Sequence, residues 1–319
     1  MSFKYFNPGF PGLLDTTGGV LVEDEKCSRT GASFYQTDKY KGITLSSHPA
    51  ELYCKFDFFL FHDETSTNYN IYVQTNYPSG NGIVINKSDY YIYFYYLAGN
   101  STYTIGGNRQ RYAETIRDNL GLLVNQVNTI YFHCKMPSSS SADDGLLEIY
   151  ANGKLMVSTS KYVGFHAADR EMTLVLSSNN AVAPLSNIIV SDEPFDKRES
   201  LVRVPLKSVT TDMKDNGDGT YTATEAGQTL LQELDVPALI EAHGGTSDVT
   251  AILSVASPAY RTDALNVLTH IEKSGDTLTE YESAEVGTYD VGAVRTVHPV
   301  TMKAADLAGL SVGWKAGTK

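Results

Sequence analysis

Tryptophan and cysteine are nearly missing from this chain, with one Trp and three Cys among 319 residues. The cysteines are Cys27, Cys54 and Cys134. Their odd number, and the lack of any CxxC or Cys/His spacing, exclude a disulfide framework and a zinc site. They read as three reduced thiols, mostly buried, with Cys54 and Cys134 inside strand-like runs. No stretch of about 18 apolar residues occurs, so the chain is expected not to insert into a membrane. The first residues, MSFKYFNPGFPG, contain one Lys and no continuous apolar run. No secretory signal is therefore expected, which implies synthesis in a cytoplasm and exit by lysis, as virion parts do. Basic residues are in deficit: 25 Lys plus Arg face 37 Asp plus Glu, a formal net charge of -12. A field of that sign repels phosphate and argues against a nucleic-acid partner.

Apolar residues make up 42 % of the chain, enough for packed cores and against wholesale disorder. The length suits two domains. Residues up to about 197 are rich in Tyr, Phe, Asn, Ser and Gly. From about Leu201 the Tyr density falls and Ala, Val, Thr and Leu rise. The stretch 192–200 (DEPFDKRES), with a Pro and alternating charges, reads as an exposed linker. The expected domains are 1–197 and 198–319.

The first part alternates as strands do, at 51–61, 70–75, 83–86, 89–97, 128–135, 146–151, 154–158, 172–177 and 186–191. Asn152-Gly153 is a hairpin turn signal. Many short strands with turn-spaced gaps and no helical period imply an antiparallel sandwich or jelly roll. The run NTIYFHCK, a polar loop, GLLEIYANGKLM, then MTLVLS and SNIIVSDEPF resembles the second half of a concanavalin A-like (laminin G-like) lectin domain. The resemblance implies that fold over about 1–195. The fold itself serves carbohydrate-binding modules, glucanases and structural domains alike, so it does not deliver a function.

The second part mixes strands with short helices. Asp215–Tyr221 (DNGDGTY) is a tight turn leading to a strand over 221–224. A helix is expected after Val236-Pro237, stopped by Gly244-Gly245. A strand covers 249–255, and a hairpin over 266–281 turns about Ser274-Gly275-Asp276. Thr301 is expected to cap a short helix over 302–308, ended by Gly309, with a last strand over 310–314. The phrases YTATEAGQTLLQ, SVASPAYRT and VTMKAADLAGLSVGWKAG resemble C-terminal regions of tail-associated structural proteins of phages and prophages. That resemblance implies a structural role and carries no chemistry. The expected fold class is thus mainly β, a concanavalin A-like jelly roll plus a smaller mainly-β domain with short helices.

Familiar catalytic patterns are absent. Retaining glucanases on jelly rolls place alternate carboxylates on one strand, and no Glu-x-Asp-x-Glu occurs. Glu23-Asp24-Glu25 is contiguous and reads as surface. The Asp215 turn fails as a calcium loop, because its third and fifth positions are Gly217 and Gly219. No Walker loop, GxGxxG, GxSxG or HExxH is present. The seven His residues are scattered, and a strand residue such as His133 reads as a hydrogen-bonded core or rim group.

One feature invites a contact. In an extended strand over 89–96, Tyr91, Tyr93 and Tyr95 share one face, and Tyr90, Ile92, Phe94 and Tyr96 the other. The first face presents a row of phenols, amphipathic rings suited to sugars or partner subunits. Tyr72 and Asn70 extend it, along with Tyr69, Tyr77, Asn68 and Asn76; the bland reading is that these tyrosines pack the sandwich. The expected function is a non-enzymatic structural or adhesive protein of a phage or prophage tail, virion-associated or released. Its partners would be a cell-surface glycan or other tail subunits, and it would work as a homo-oligomer. One alternative is a carbohydrate-binding module of a bacterial surface protein, assisted by calcium at Asp63, Asp89, Asp143 or Asp144. The other is a glycoside hydrolase. No further cofactor is called for.

Overall fold

The computed structural model describes residues 3–9, 19–22, 24–30, 33–36, 43–45, 49–60, 70–75, 82–86, 91–95, 122–123, 125–135, 138–139, 142, 144–159, 172–178, 184–243, 248–259, 265–286 and 292–319. The chain divides into two compact units, Met1–Val202 and Arg203–Lys319. Nearly all regular structure is antiparallel strand.

In chain order the strands of the first unit are β1 (Phe3–Asn7), β2 (Gly19–Val22), β3 (Ser33–Gln36), β4 (Ile43–Leu45), β5 (Glu51–Leu60), β6 (Asn70–Thr75) and β7 (Gly82–Asn86). They continue with β8 (Tyr91–Tyr95), β9 (Gln126–Lys135), β10 (Leu146–Ala151), β11 (Lys154–Thr159), β12 (Met172–Ser178) and β13 (Leu185–Ser191). Eight of them form one sheet in the order β11-β10-β9-β5-β13-β3-β2, with β1 added on β13. Five form a second sheet in the order β4-β12-β6-β7-β8. Two antiparallel sheets with long-range crossovers make a β-sandwich.

Register explains the core. Cys54 pairs with Phe132, Phe56 with Ile130 and Leu52 with Cys134 across β5 and β9. Phe56, Phe58, Ile130 and Phe132 are fully buried. All three cysteines are buried and none forms a disulfide, Cys54 and Cys134 lying in this layer. The other parity of β5 is closed too: Tyr53, Lys55 and Asp57 are buried. The stretch 192–200 is an exposed linker only in part, with Glu193, Pro194, Asp196, Arg198 and Ser200 exposed. It lies on that face, where Phe195 is buried and its ring meets Tyr131 edge-on at 5.4 Å. Lys197 Nζ sits 3.3 Å above the Tyr150 ring. The Lys55 ammonium donates to the Glu199 carbonyl. Composition suggested solvation because it counts charges. The Lys197 ammonium lies on an aromatic ring instead, Lys55 is held by the backbone carbonyl of Glu199, and Arg198 pairs with Asp196 inside the stretch.

The second unit holds β14 (Leu206–Thr211), β15 (Lys214–Asp215), β16 (Tyr221–Thr222), β17 (Thr229–Leu234), the helix α1 (Val236–His243), β18 (Asp248–Ala259), β19 (Val267–Ser274), β20 (Thr277–Glu285), β21 (Gly292–Lys303) and β22 (Leu310–Gly317). A five-stranded sheet runs β14-β17-β22-β19-β20, and β18 pairs with β21 in a long ribbon. The Asp235 carboxylate accepts the Ala238 N–H at 3.2 Å at the start of α1. Pro237 sits in the first turn, where its missing N–H is no loss. Leu234, Val236, Leu239, Ala304, Leu307 and Leu310 form the apolar core beneath the helix.

Gly217 and Gly219 take φ of +82° and +83° in the tight turn before β16. Their neighbours Asp215 and Asp218 accept backbone N–H groups of Gly217 and Thr220 at 2.7 and 3.0 Å. These carboxylates serve the turn, as the failed calcium pattern implied. The expected cap at Thr301 is corrected. Thr301 and Met302 continue β21, and a 3-10 helix begins only at Ala304. The Lys303 N–H donates to Asp306 Oδ2 at 2.8 Å, so the entry is closed from within the helix rather than by a threonine hydroxyl.

Candidate functional site

The five-stranded sheet of the first unit carries the residues singled out for contact. Its register runs unbroken from β12 to β8. Tyr72 pairs with Val84, and Val84 with Tyr93. One row along, Asn70, Asn86 and Tyr91 align. In the other direction Gln74, Gly82 and Tyr95 align. All five residues, Tyr91, Tyr93, Tyr95, Tyr72 and Asn70, therefore occupy register positions of the same parity, on one face of three neighbouring strands. On the far side of β6, Ser177 aligns with Tyr72 and Val175 with Gln74.

The alternate parity is apolar throughout its centre. Ile71, Ile85 and Ile92 align there, as do Val73, Ile83 and Phe94. Among the described strands β8 is last in the order of this sheet. Tyr69, Tyr77, Tyr90, Tyr96, Asn68 and Asn76 lie outside the described residues.

Of the acidic residues named for a cation, Asp63, Asp89 and Asp143 lie outside the described residues. Asp144 is exposed, and its Oδ1 accepts the Ser138 N–H at 2.9 Å. That backbone bond holds its carboxyl below the ordinary range. Among the described residues no group of three His, Cys, Asp or Glu side chains is placed to hold a metal.

Two polar clusters join residues far apart in sequence. In the first unit His133 Nε2 is 2.8 Å from Glu51 Oε1, and its Nδ1 is 3.3 Å from Glu148 Oε2. Tyr53 stacks on the imidazole at 4.2 Å and donates its hydroxyl to Glu51 at 2.7 Å. Burial works to raise the Glu51 carboxyl, but the bonds from Tyr53 and His133 outweigh it and pull it below its usual value. Burial, then the Glu51 contact, pushes the Tyr53 phenol up. With a carboxylate at each nitrogen, His133 has no free lone pair to offer a substrate. This matches its reading as a hydrogen-bonded group.

In the second unit His270 is fully buried, with Nε2 2.9 Å from Ser254 Oγ. Glu272 accepts from the Tyr281 hydroxyl at 2.9 Å and lies 3.0 Å from His298 Nδ1. A register shift between Thr269 and Ile271 places one extra residue on β20 beside His270. The group is not a catalytic triad. Ser254 and Glu272 approach the same His270 nitrogen, Glu272 at 3.8 Å, whereas a triad needs one partner on each. Among the described residues His270 Nδ1 has no hydrogen-bond partner. Burial foremost, and His298 beside it, lower the imidazole pKa against the pull of Glu272. Scattered His residues concealed this cluster. The available signal was His270 and Glu272 two apart in a strand, which puts them on one face of it.

No family model matches the sequence, and no curated relative matches it. Solved structures do resemble the fold. An alginate lyase, Aly36B, solved with an alginate trisaccharide, is 9 % identical with a TM-score of 0.37 and covers 54 % of this chain and 86 % of its own. The alginate lyase vAL-1 from Chlorella virus is 13 % identical, with a TM-score of 0.33 and coverage of 59 % and 91 %. The binding domain of botulinum neurotoxin serotype D is 12 % identical, with a TM-score of 0.37 and coverage of 98 % and 92 %. At these identities the likeness extends to the β-sandwich fold and no further. The expectation that the chain is not an enzyme is corrected by the same comparison. Polysaccharide lyases stand among the similar structures, so a missing sequence motif does not exclude activity on this scaffold.

Proposed function

We propose that the first unit is a glycan-contacting β-sandwich, and that Tyr91, Tyr93, Tyr95, Tyr72 and Asn70 form its contact face. The observation that carries the reading is the cross-strand register, which brings two separate sequence segments onto one face of one sheet. Phenols and amides on a rigid sheet lose little entropy on binding and match a sugar's apolar faces and hydroxyls. The wider role proposed is an adhesive or structural part of a phage or prophage tail, virion-associated or released, acting as a homo-oligomer. That role draws on the phrases YTATEAGQTLLQ and VTMKAADLAGLSVGWKAG in the second unit, and on the gain that repeated weak contacts bring.

The test is saturable binding of the purified chain to bacterial cells and isolated envelope polysaccharides, with calcium and then with chelator. Binding competed by a soluble glycan and lost in the Tyr72→Ala/Tyr93→Ala double variant supports the reading. Undiminished binding by that variant, folded by circular dichroism, refutes the face. An inert monomer by light scattering refutes the tail role.

A further inference from the structure

The ribbon of β18 and β21 is a sheet of its own, and among the described strands it pairs with no other. It is held in two ways along its length. At the near end Val249, Ile252 and Met302 pack on the apolar core beneath α1. Ile252 pairs with His298 and Ser254 with Thr296, and from there the ties to the five-stranded sheet are polar. Ser254 Oγ is 2.9 Å from His270 Nε2, and His298 Nδ1 is 3.0 Å from Glu272. Ser254, Thr296, His270 and Glu272 are all buried.

This polar contact has one carboxylate for two imidazoles. Glu272 accepts from Tyr281 and faces His298 at 3.0 Å and His270 at 3.8 Å. The Tyr281 ring lies 3.9 Å from His298 and 5.2 Å from His270, and Trp314 of β22 stands 6.0 Å from His270. Of the other charged groups on these strands, Lys273, Glu280 and Lys315 fall on the opposite parity of the sheet, and Glu282 is exposed. Arg295 holds a register position of the ribbon's other parity, and Asp248 pairs with Lys303 at the near end.

His270 is fully buried, and among the described residues its Nδ1 has no partner. Burial foremost, and His298 beside it, favour its neutral form. Protonation places a cation beside a carboxylate that Tyr281 and His298 already engage. A proton on His298, the more exposed of the two, is met directly by Glu272 and leaves less of that carboxylate for His270. Lifting Ser254 and Thr296 off the sheet admits water to His270. The apolar near end and the backbone ladder of the five-stranded sheet are not disturbed by that movement.

We propose that the distal part of the ribbon, residues 254–259 and 292–298, is an arm that mild acid releases from the five-stranded sheet, with His270, Glu272 and His298 as its latch. His270 takes a proton more readily with the arm open, so opening becomes more frequent as pH falls below about 6.5, the ordinary imidazole value. With the closed form taking no proton there, opening at pH 5.5 is about tenfold more frequent than at neutral pH.

The experiment is hydrogen–deuterium exchange of the full chain at pH 7.5 and 5.5, corrected for the intrinsic rate of amide exchange. Protection of 254–259 and 292–298 should fall about tenfold and recover on return to pH 7.5, while β19 and β22 keep theirs. His270→Gln, which does not titrate and still offers Ser254 an amide, should keep the arm protected at pH 5.5. Unchanged protection of the arm overturns the proposal, and so does an equal loss in β19 and β22, which is unfolding of the whole unit. A tenfold loss that persists in His270→Gln overturns the latch. Should that variant not fold, Trp314 fluorescence of the unmodified chain decides. It should change over the same pH interval as the exchange, and a signal constant from pH 7.5 to 5.5 overturns the proposal.

Discussion

Asn187 holds the end of the first unit's chain against its sandwich, and replacing it should be costly. It is fully buried on β13 and adopts φ of +50°, a left-handed conformation. Its Oδ1 accepts the Leu201 N–H at 2.7 Å. Its Nδ2 donates to Asp57 Oδ2 and to Ser200 Oγ, each at 2.9 Å. Asp57 is itself fully buried, with Thr129 Oγ1 at 2.5 Å and the Arg29 guanidinium at 3.6 Å.

Asn187→Ala removes one donor from a buried carboxylate and the acceptor of the Leu201 N–H. A bond to a charged group contributes about 1.5–3 kcal/mol, and an orphaned buried donor costs about 1–3 kcal/mol. Alanine in the left-handed region adds roughly 1 kcal/mol. The expected loss is about 4 kcal/mol, set against a typical domain stability of roughly 5–15 kcal/mol. Asn187→Gly loses the same bonds without the backbone penalty, so it should be less damaging by about 1 kcal/mol.

The measurement is urea unfolding followed two ways. Trp314 is the sole tryptophan and lies in the second unit, so its fluorescence follows that unit. Far-ultraviolet circular dichroism follows both. The substitution should lower the midpoint of the dichroism transition and leave the fluorescence midpoint in place. A loss below about 1 kcal/mol would refute the clamp. Equal losses for Ala and Gly would refute the backbone share.

Two further predictions concern the second unit, and both use Trp314 fluorescence. Because folding lowers the His270 pKa, the neutral imidazole stabilises the fold above the unfolded value of about 6.5, and this is lost as pH falls below it. The urea midpoint should hold steady at neutral pH and drop on acidification, less so in His270→Gln; a midpoint that rises on acidification contradicts the burial argument. At Gly313 a Cβ would fall 1.8 Å from the Leu230 carbonyl oxygen, a backbone atom that cannot rotate aside. Gly313→Ala should force β17 and β22 apart and cost at least about 3 kcal/mol, and a loss under about 1 kcal/mol would show that the strands can give.

Much of the strand content was legible because alternation is a local property. The segments 70–75 and 146–151 were readable to the residue, and Asn152-Gly153 formed the hairpin it signals, with φ of +48° and +81°. The expected helix after Val236-Pro237 is present as α1. Thr301 misled because a threonine before an Ala-rich run fits a cap, yet pairing of β21 with β18 carries the strand on to Lys303. The stretch 192–200 misled in part for the opposite reason, since Phe195 and Lys197 find aromatic partners, Tyr131 and Tyr150, on strands far back in the chain, while Arg198 and Asp196 pair with each other within the stretch.

The candidate face divides the same way. Sequence alone determined that Tyr91, Tyr93 and Tyr95 share a side, since a strand's side chains alternate whatever surrounds it. It also determined the chain's charge, its scarce cysteines and its turns, which depend on composition or on a few adjacent residues. Only the tertiary structure decided that Asn70 and Tyr72 fall in line with those tyrosines, because register is set by pairing across β7. It alone joined His270, Glu272 and His298, and clasped Asn187 to Asp57, 130 positions apart. Those contacts arise from crossovers between strands, whose geometry follows from how the sheets close on one another and not from any local run of residues.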